Sequence, residues 1–67
     1  MRDWLKQCRV NRGLTMKDMS KRLDISESYY SLIESGDRQK KLDIMLAMKL
    51  SAVLGVPINK IVEFENG

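Results

Sequence analysis

Apolar residues in this chain recur every three or four positions, which is the spacing of one face of an α-helix. The first such run predicts a helix over about Asp3–Asn11, with Leu5 and Cys8 facing inward and Trp4 beside them. The next run predicts a helix that ends near Leu23. The strict alternation of a half-buried strand is absent from the sequence. The pattern therefore favours an all-α fold.

Residues with capping chemistry stand at the ends of the second and third helices. Thr15 is an N-cap residue, and Asp18 three positions later completes a capping box. Asp24 suits a left-handed turn, and Ser26 caps the next helix, which stops at Gly36. Two short helices joined by so few residues have the spacing of a helix-turn-helix, here from about Thr15 to Gly36.

The fourth predicted helix, about Leu42–Leu54, is apolar on every side and ends at Gly55. Such a helix is either deeply buried or covered by a partner. The residues of its widest apolar face, expected to point inward, are Ile44, Ala47, Met48, Leu50, Ser51 and Leu54. Four further apolar residues fall outside that face: Met45, Leu46, Ala52 and Val53.

A fifth short helix is predicted from Pro57, a residue suited to a first helical turn. Ile58, Ile61 and Val62 are expected to face inward, and the terminal "EFENG" is expected to be frayed. The resulting fold class is a compact arrangement of five short helices. With 67 residues and no linker-like or repeated stretch, the chain is expected to form a single domain over residues 1–67.

The residue types leave few chemical functions open. The sequence has no His, and its one cysteine, Cys8, excludes an intramolecular disulfide. We therefore predict no enzymatic activity, no cofactor, no metal and no small-molecule ligand. The start "MRDWLKQCRV" has no apolar run of signal-peptide length, and no stretch approaches a membrane span. These features indicate a cytoplasmic protein without a membrane partner.

Charge is unevenly distributed, although the net charge is only +3. Residues 1–22 carry a net charge of +5, and residues 39–49 carry +2. Between them, residues 23–38 carry −3. Basic segments therefore flank an acidic one, and any polyanion would meet the flanks first.

Several motifs in the sequence resemble one known family. The segment "LKQCRVNRGLTMKDMSKRLDISESYYSLIESG" resembles the DNA-binding domain of phage-repressor-like (Xre/Cro type) helix-turn-helix regulators, and "LSAVLGVPINKIV" resembles that family's closing pair of helices. The similarity runs from about Leu5 to Val62. Its most specific parts are Arg9-x-x-x-Gly13-Leu14-Thr15, Ser26, Ile33-Glu34-x-Gly36 and Leu54-Gly55-Val56.

The resemblance implies that the N-terminal part of the third helix enters the major groove of DNA. Glu27 then accepts from a cytosine amino group, or it only favours the helix N-terminus through the helix dipole. Tyr29 is expected to be exposed, either against DNA or in solvent, and Tyr30 is expected in the core. The candidate base contacts are Glu27, Ser28, Tyr29, Ser31 and Leu32.

Candidate phosphate contacts lie at the start of the second helix and after the third. Family members often carry Gln where Met16 stands; Met cannot make that hydrogen bond, but free backbone amides at a helix start can still bind phosphate. The set comprises Thr15, Met16, Lys17, Ser35, Arg38, Lys40 and Lys41. A solvated surface is the better interpretation for Arg2, Lys6, Lys21, Arg22 and Lys49.

The resemblance further implies that Arg9 and Glu34 form a structural ion pair and do not touch DNA. It also implies a symmetric dimer on two half-sites. The candidate interface residues, some of which the fifth helix and tail would alternatively cover within the monomer, are Met45, Leu46, Val53, Val56, Pro57, Ile58 and Phe64.

The function predicted from these features is that of a sequence-specific regulator of transcription that binds double-stranded DNA. We expect a repressor that occludes a roughly palindromic operator as a homodimer, at least on DNA. The alternative is a protein-interaction module of the same fold, an antitoxin or anti-repressor partner, because a fold alone does not determine function.

Overall fold

A computed structural model describes residues 1–66, which form five α-helices and no strand. The predicted all-α fold of five short helices is confirmed. None of these helices alone is long and apolar enough to cross a membrane; only the last two, taken together across a bend of 117°, reach that length and composition. The helices are α1 (Asp3–Asn11), α2 (Met16–Leu23), α3 (Glu27–Ser35), α4 (Ile44–Leu54) and α5 (Ile58–Asn66).

Local capping interactions define both ends of α2 and the start of α3. The Thr15 hydroxyl accepts from the Asp18 amide at 3.0 Å, and the Thr15 amide donates to the Asp18 carboxylate at 2.9 Å, which completes the predicted capping box. At the other end of α2, Asp24 adopts the predicted left-handed conformation, with a φ of 58°. Ser26 then caps α3 by accepting from the Tyr29 amide.

The start of α4 lies two residues later than the sequence predicted, because Asp43 caps the helix. Its carboxylate accepts from the amides of Met45 at 2.7 Å and of Leu46 at 3.3 Å. These bonds satisfy amides that have no acceptor within the helix. The helix therefore begins at Ile44 instead of Leu42.

The buried face of α4 is rotated relative to the predicted one. Ile44 and Met48 were expected to point inward but are 64 % and 55 % exposed, whereas Leu46 was placed outside the inward face and is only 9 % exposed. A helix that is apolar all round carries no periodic signal for its orientation, so packing against α2 and α5 decides it. The buried residues of α4 are Leu46, Ala47, Leu50 and Leu54.

Helix α5 is ordered by contacts with the start of the chain. The Glu65 carboxylate accepts from Trp4 Nε1 at 2.9 Å and pairs with Arg2 Nε at 2.9 Å. The Phe64 ring stacks on Trp4 with 5.3 Å between ring centroids. The prediction of a frayed "EFENG" is therefore wrong for residues 63–66, which belong to α5. Residue 67 lies outside the described residues.

The inward face of α5 is narrower than predicted. Ile61 is buried as expected. Ile58 and Val62, also expected to face inward, are 36 % and 49 % exposed. Part of the apolar surface of α5 consequently remains on the outside of the protein.

The core lies where the five helices meet. Helix α2 packs on α3 and α4, α1 packs on α3, and α4 packs on α5. This arrangement covers the inner side of α3 and leaves its outer side in solvent. The most deeply buried side chains are Tyr30, Leu5, Met19, Leu23, Ile33, Leu50 and Ile61.

Candidate nucleic-acid interface

The outer face of α3 is open to solvent beside the start of α2. Glu27, Ser28, Ser31 and Leu32 line a shallow depression of about 440 Å³ together with Met16. These are four of the five residues predicted to contact bases. The structure thus brings four candidate side chains to one accessible surface, while the opposite side of α3 packs on α1 and α2.

Glu27 is the one charged side chain on this surface. It occupies the first turn of α3, after the Ser26 cap, and enters no ion pair among residues 1–66. Its carboxylate is exposed and can accept a hydrogen bond from a partner, and it also lies where the helix dipole favours a negative charge. Its position is compatible with both interpretations drawn from the sequence.

Tyr29, the fifth predicted base contact, is not exposed as expected. Its ring packs half-buried against the core, and its hydroxyl accepts a hydrogen bond from Gln39 Nε2 at 2.8 Å. The loop after α3 provides Gln39 and lies against this side chain, which the periodicity of the helix alone does not reveal. Tyr29 is consequently a link between α3 and that loop.

Arg9 of α1 and Glu34 of α3 form a two-point ion pair. Arg9 Nε lies 3.0 Å from Glu34 Oε2 and Nη2 lies 3.3 Å from Oε1, while Nη1 donates to the Leu14 carbonyl at 2.9 Å. The two side chains are only 12 % and 7 % exposed. The hydrogen bond to Glu34 raises the pKa of the Arg9 guanidinium above its ordinary value. The pair therefore joins α1 to α3 and favours the charged form of Arg9.

The Tyr30 hydroxyl is buried near this pair and makes no hydrogen bond within the described part of the chain. Burial raises the pKa of Tyr30 well above its ordinary value of 10.0, and the neighbouring Glu34 carboxylate raises it further. The folded protein therefore favours the neutral phenol. The contribution of the neutral Tyr30 phenol to the free energy of unfolding is complete below the pKa of Tyr30 in the unfolded chain. It is lost as the pH rises through the pKa of Tyr30 in the folded protein.

The Tyr30→Phe variant is expected to keep its unfolding free energy at pH 7 within about 1 kcal/mol of the wild type, because the lost hydroxyl has no partner to leave unpaired. Above about pH 10 the wild type should lose stability relative to the variant, since only the wild type must keep this phenol neutral. Urea unfolding at both pH values measures the difference, with Tyr29→Phe as the control. Equal alkaline losses in wild type and Tyr30→Phe would contradict this expectation.

The start of α2 is less suited to phosphate than the sequence suggested. The Thr15 amide, a predicted contact, already donates to the Asp18 carboxylate. That backbone hydrogen bond lowers the pKa of Asp18, so a negative charge stays at this helix start. The amides of Met16 and Lys17 donate to no acceptor within residues 1–66, and the Lys17 side chain is exposed. Only these last two of the three predicted contacts remain available.

The loop after α3 carries three exposed, positively charged side chains close in sequence to the outer face of α3. Arg38, Lys40 and Lys41 are exposed, and none of them enters an ion pair in the part of the chain that the structure describes. Ser35, also a predicted phosphate contact, differs from them. Its hydroxyl lies 3.0 Å from both the Leu32 carbonyl and an Asp37 carboxylate oxygen, so it already donates a hydrogen bond within the protein.

Residues 5–61 of the chain match the family model described as Helix-turn-helix. This segment includes the exposed α3 face, the turn before α3 and the cationic loop after it, which carries Arg38, Lys40 and Lys41. The protein belongs to this helix-turn-helix family. A relative in Bacillus subtilis (strain 168), the uncharacterized HTH-type transcriptional regulator YqaF, is 36 % identical over 55 residues, which cover 82 % of this chain and 70 % of that protein. No solved structure matches the chain significantly.

Membership of the helix-turn-helix family confirms the resemblance seen in the sequence, including its Xre-like character. The family's general function is DNA binding in the regulation of transcription. The matched segment contains α1 from Leu5 onward, all of α2 to α4 and the first turn of α5. It therefore includes the α3 face and the cationic loop.

The sequence did not reveal two residues of this helix-turn-helix protein that have structural roles near the candidate interface. Arg2 was assigned to a solvated surface but is only 6 % exposed, because its guanidinium bonds to Glu65 and to backbone carbonyls of the loop after α3. Gln39, to which no role was assigned, donates to Tyr29. Neither residue belongs to a periodic pattern or a capping motif, so the sequence offered no signal for them.

The predicted dimer interface of this helix-turn-helix protein needs one correction. Leu46 lies in the core, where α4 packs against its neighbours, and has almost no surface left for a partner. Val53 and Val56 are half-buried against the same core. The other predicted residues remain at least partly accessible: Met45, Pro57, Ile58 and Phe64.

The exposed large apolar side chains of α4 are Ile44, Met45 and Met48, which are 64 %, 62 % and 55 % exposed. Val62 of α5 is 49 % exposed, and a groove of about 560 Å³ is lined by Ile44 and Val62 together with Lys40 and Lys41 of the loop after α3. The four apolar side chains form an outer apolar surface on α4 and α5. It differs from the predicted set mainly because the buried face of α4 is rotated.

Proposed function

We propose that the protein is a sequence-specific repressor that binds double-stranded DNA as a single cytoplasmic domain. The observation that supports this most directly is the accessible α3 face formed by Glu27, Ser28, Ser31 and Leu32 in a helix-turn-helix protein. Helix α3 lies in the major groove, and the bound protein occludes its operator. No catalytic step is part of this function.

The side chains of the α3 face differ in the base features that they recognise. Glu27 accepts from the amino group of cytosine, Ser28 bonds to more than one kind of base edge, and Leu32 meets a thymine methyl group. A carboxylate near phosphates weakens binding unless a donor on a base matches it. Glu27 thus also acts against operators that lack cytosine at its position.

Affinity for the DNA backbone comes mainly from the loop after α3. Arg38, Lys40 and Lys41 contact phosphates, and Lys17 at the start of α2 adds a further contact. This division of labour explains how a helix without Lys or Arg can be the reading element. The positive charge lies beside α3 in the sequence and α3 itself supplies selectivity.

A homodimer on a roughly palindromic operator completes the proposal. Two copies related by a two-fold axis place their α3 helices in successive major grooves, about one helical turn apart. The outer apolar surface of α4 and α5 supports such an interface, since Met45, Met48 and Val62 are exposed without any cover in the monomer.

Selection of bound duplexes from a random pool is expected to enrich one sequence with two half-sites about one helical turn apart. Ser28→Ala and Glu27→Gln are expected to alter the preferred base at one position of each half-site, with a discrimination of about 1–3 kcal/mol lost there. Glu63→Gln, the same chemical change at an exposed position of α5, is the control. If these variants enrich the wild-type sequence unchanged, α3 does not read bases in the proposed way.

A second candidate function is a protein-interaction module of the same fold, such as an antitoxin or anti-repressor partner. The exposed side chains of Ile44, Met45 and Met48 favour it, because a protein partner would remove them from water. The selection experiment separates the two functions. An unenriched pool together with stable co-purification of another protein supports the interaction module.

A further inference from the structure

Gln39 occupies an unusual position in the loop that carries Arg38, Lys40 and Lys41. Its backbone is left-handed, with a φ of 55°. A residue other than glycine adopts this conformation only when its surroundings impose it. The half-buried Gln39 therefore marks a point where the structure fixes the loop.

The Gln39 side chain joins two helices. Its Nε2 donates to the Tyr29 hydroxyl of α3 at 2.8 Å, and its Oε1 accepts from the amide of Asp43, the residue that caps α4, at 3.1 Å. Both ends of one amide group are thus engaged. The loop between α3 and α4 is bound to the helix before it and to the helix after it through a single residue.

Arg2 holds the backbone of the same loop. Its guanidinium donates to the loop carbonyls of Arg38, at 3.4 Å, and Gln39, and to the carbonyl of Ile33 in α3 at 2.6 Å. Glu65 of α5 orients the guanidinium through bonds of 2.9 Å and 3.0 Å. The Gln39 side chain therefore binds the loop to α3. The loop carbonyls bind it to Arg2, the residue before α1, and through Arg2 to Glu65 near the end of α5.

We propose that Gln39 is a positioning residue of the DNA interface. Through Tyr29 it fixes the distance between the base-reading face of α3 and the phosphate-contacting side chains of Arg38, Lys40 and Lys41. Gln39 itself touches no base, and the inference rests on the proposed DNA-binding function. Because Gln39 already holds the loop in place, base contacts and phosphate contacts form together, and binding does not include the free-energy cost of ordering the loop.

Gln39→Asn tests this role with little change in the backbone, because Asn tolerates the left-handed conformation while its shorter side chain does not reach both Tyr29 and Asp43. We expect about 3- to 10-fold weaker binding to selected and random duplexes alike, the effect of one lost hydrogen bond. The slope of log affinity against log salt concentration should fall by about one phosphate contact. The order of preference among sequences should stay that of the wild type.

Tyr29→Phe removes the acceptor of the same hydrogen bond and should reproduce these changes. If the two residues act as one unit, the double variant loses no more affinity than either single variant. Gln7→Asn, the same change at an exposed position of α1, is the matched control. Circular dichroism melting of each variant should give transition temperatures within a few degrees of the wild type, which separates a displaced loop from an unfolded protein.

Three results would overturn the inference. Wild-type affinity and salt slope in Gln39→Asn show that the hydrogen bond has no role in binding. A changed base preference in Tyr29→Phe shows that Tyr29 reads DNA directly. A wild type that binds no duplex overturns the proposed function as well. The first two results overturn the positioning role alone.

Discussion

The Glu34→Leu variant is expected to lose about 3–5 kcal/mol of unfolding free energy, because the charged Arg9 guanidinium stays buried without its partner. The geometry supports a value in this range, since both side chains are nearly buried and bonded at two points. A chain of 67 residues is stabilised by only about 3–10 kcal/mol. Urea unfolding followed by circular dichroism should therefore show that the variant has lost between about a third and all of its unfolding free energy.

Two controls show whether the burial of the ion pair is the cause. Arg9→Met combined with Glu34→Leu should recover most of the lost stability, because no unpaired charge then remains. Glu63→Leu breaks the exposed pair between Lys60 and Glu63, at 3.3 Å, and should cost at most about 1 kcal/mol. A Glu34→Leu loss as small as that of the surface variant would contradict a structural role for the pair.

Replacing Lys40 and Lys41 together by Gln is expected to weaken binding to every duplex by on the order of 10- to 100-fold near physiological salt. The slope of log affinity against log salt concentration should fall by about two, because each lysine releases about one counterion from a phosphate. The preferred operator sequence should not change, since these side chains contact no base in the proposed arrangement. Fluorescence anisotropy with a labelled duplex at several salt concentrations measures both quantities.

Lys49→Gln with Lys60→Gln is the matched control, because it removes the same charge from exposed positions on α4 and α5. A general effect of net charge would weaken both double variants equally. A local effect at the loop after α3 weakens only the Lys40 and Lys41 variant. Equal salt slopes in the two would therefore argue against phosphate contacts in this loop.

The elements that the sequence predicted well are those with local causes. The capping box of Thr15 and Asp18 and the left-handed Asp24 involve residues a few positions apart, so a single sequence contains all the information. The Asp43 cap has the same local chemistry, but the apolar run that begins at Leu42 obscured it. Helix boundaries were consequently accurate where polar signals and apolar periodicity agreed.

The elements that the sequence could not predict depend on distant contacts. Helix α4 is apolar all round, and only packing determined that Leu46 points inward and Met48 outward. Arg2 and Glu65 are 63 positions apart, and no pattern relates them. Four of the five candidate base contacts on α3 are exposed as the sequence predicted, whereas the contact of Gln39 with Tyr29 was not predicted. Long-range polar contacts thus account for most of the differences near the candidate site.

The contact of Arg2 with Glu65 closes the chain into a noncovalent ring. Such a closure ties the last turn of α5 to the residue before α1, and through Trp4 and Phe64 the two segments also share a stacked aromatic pair. Opening either segment must break the contacts of the other. The terminal turns therefore belong to the same cooperative unit as the loop after α3, and their amide protons should exchange with solvent together.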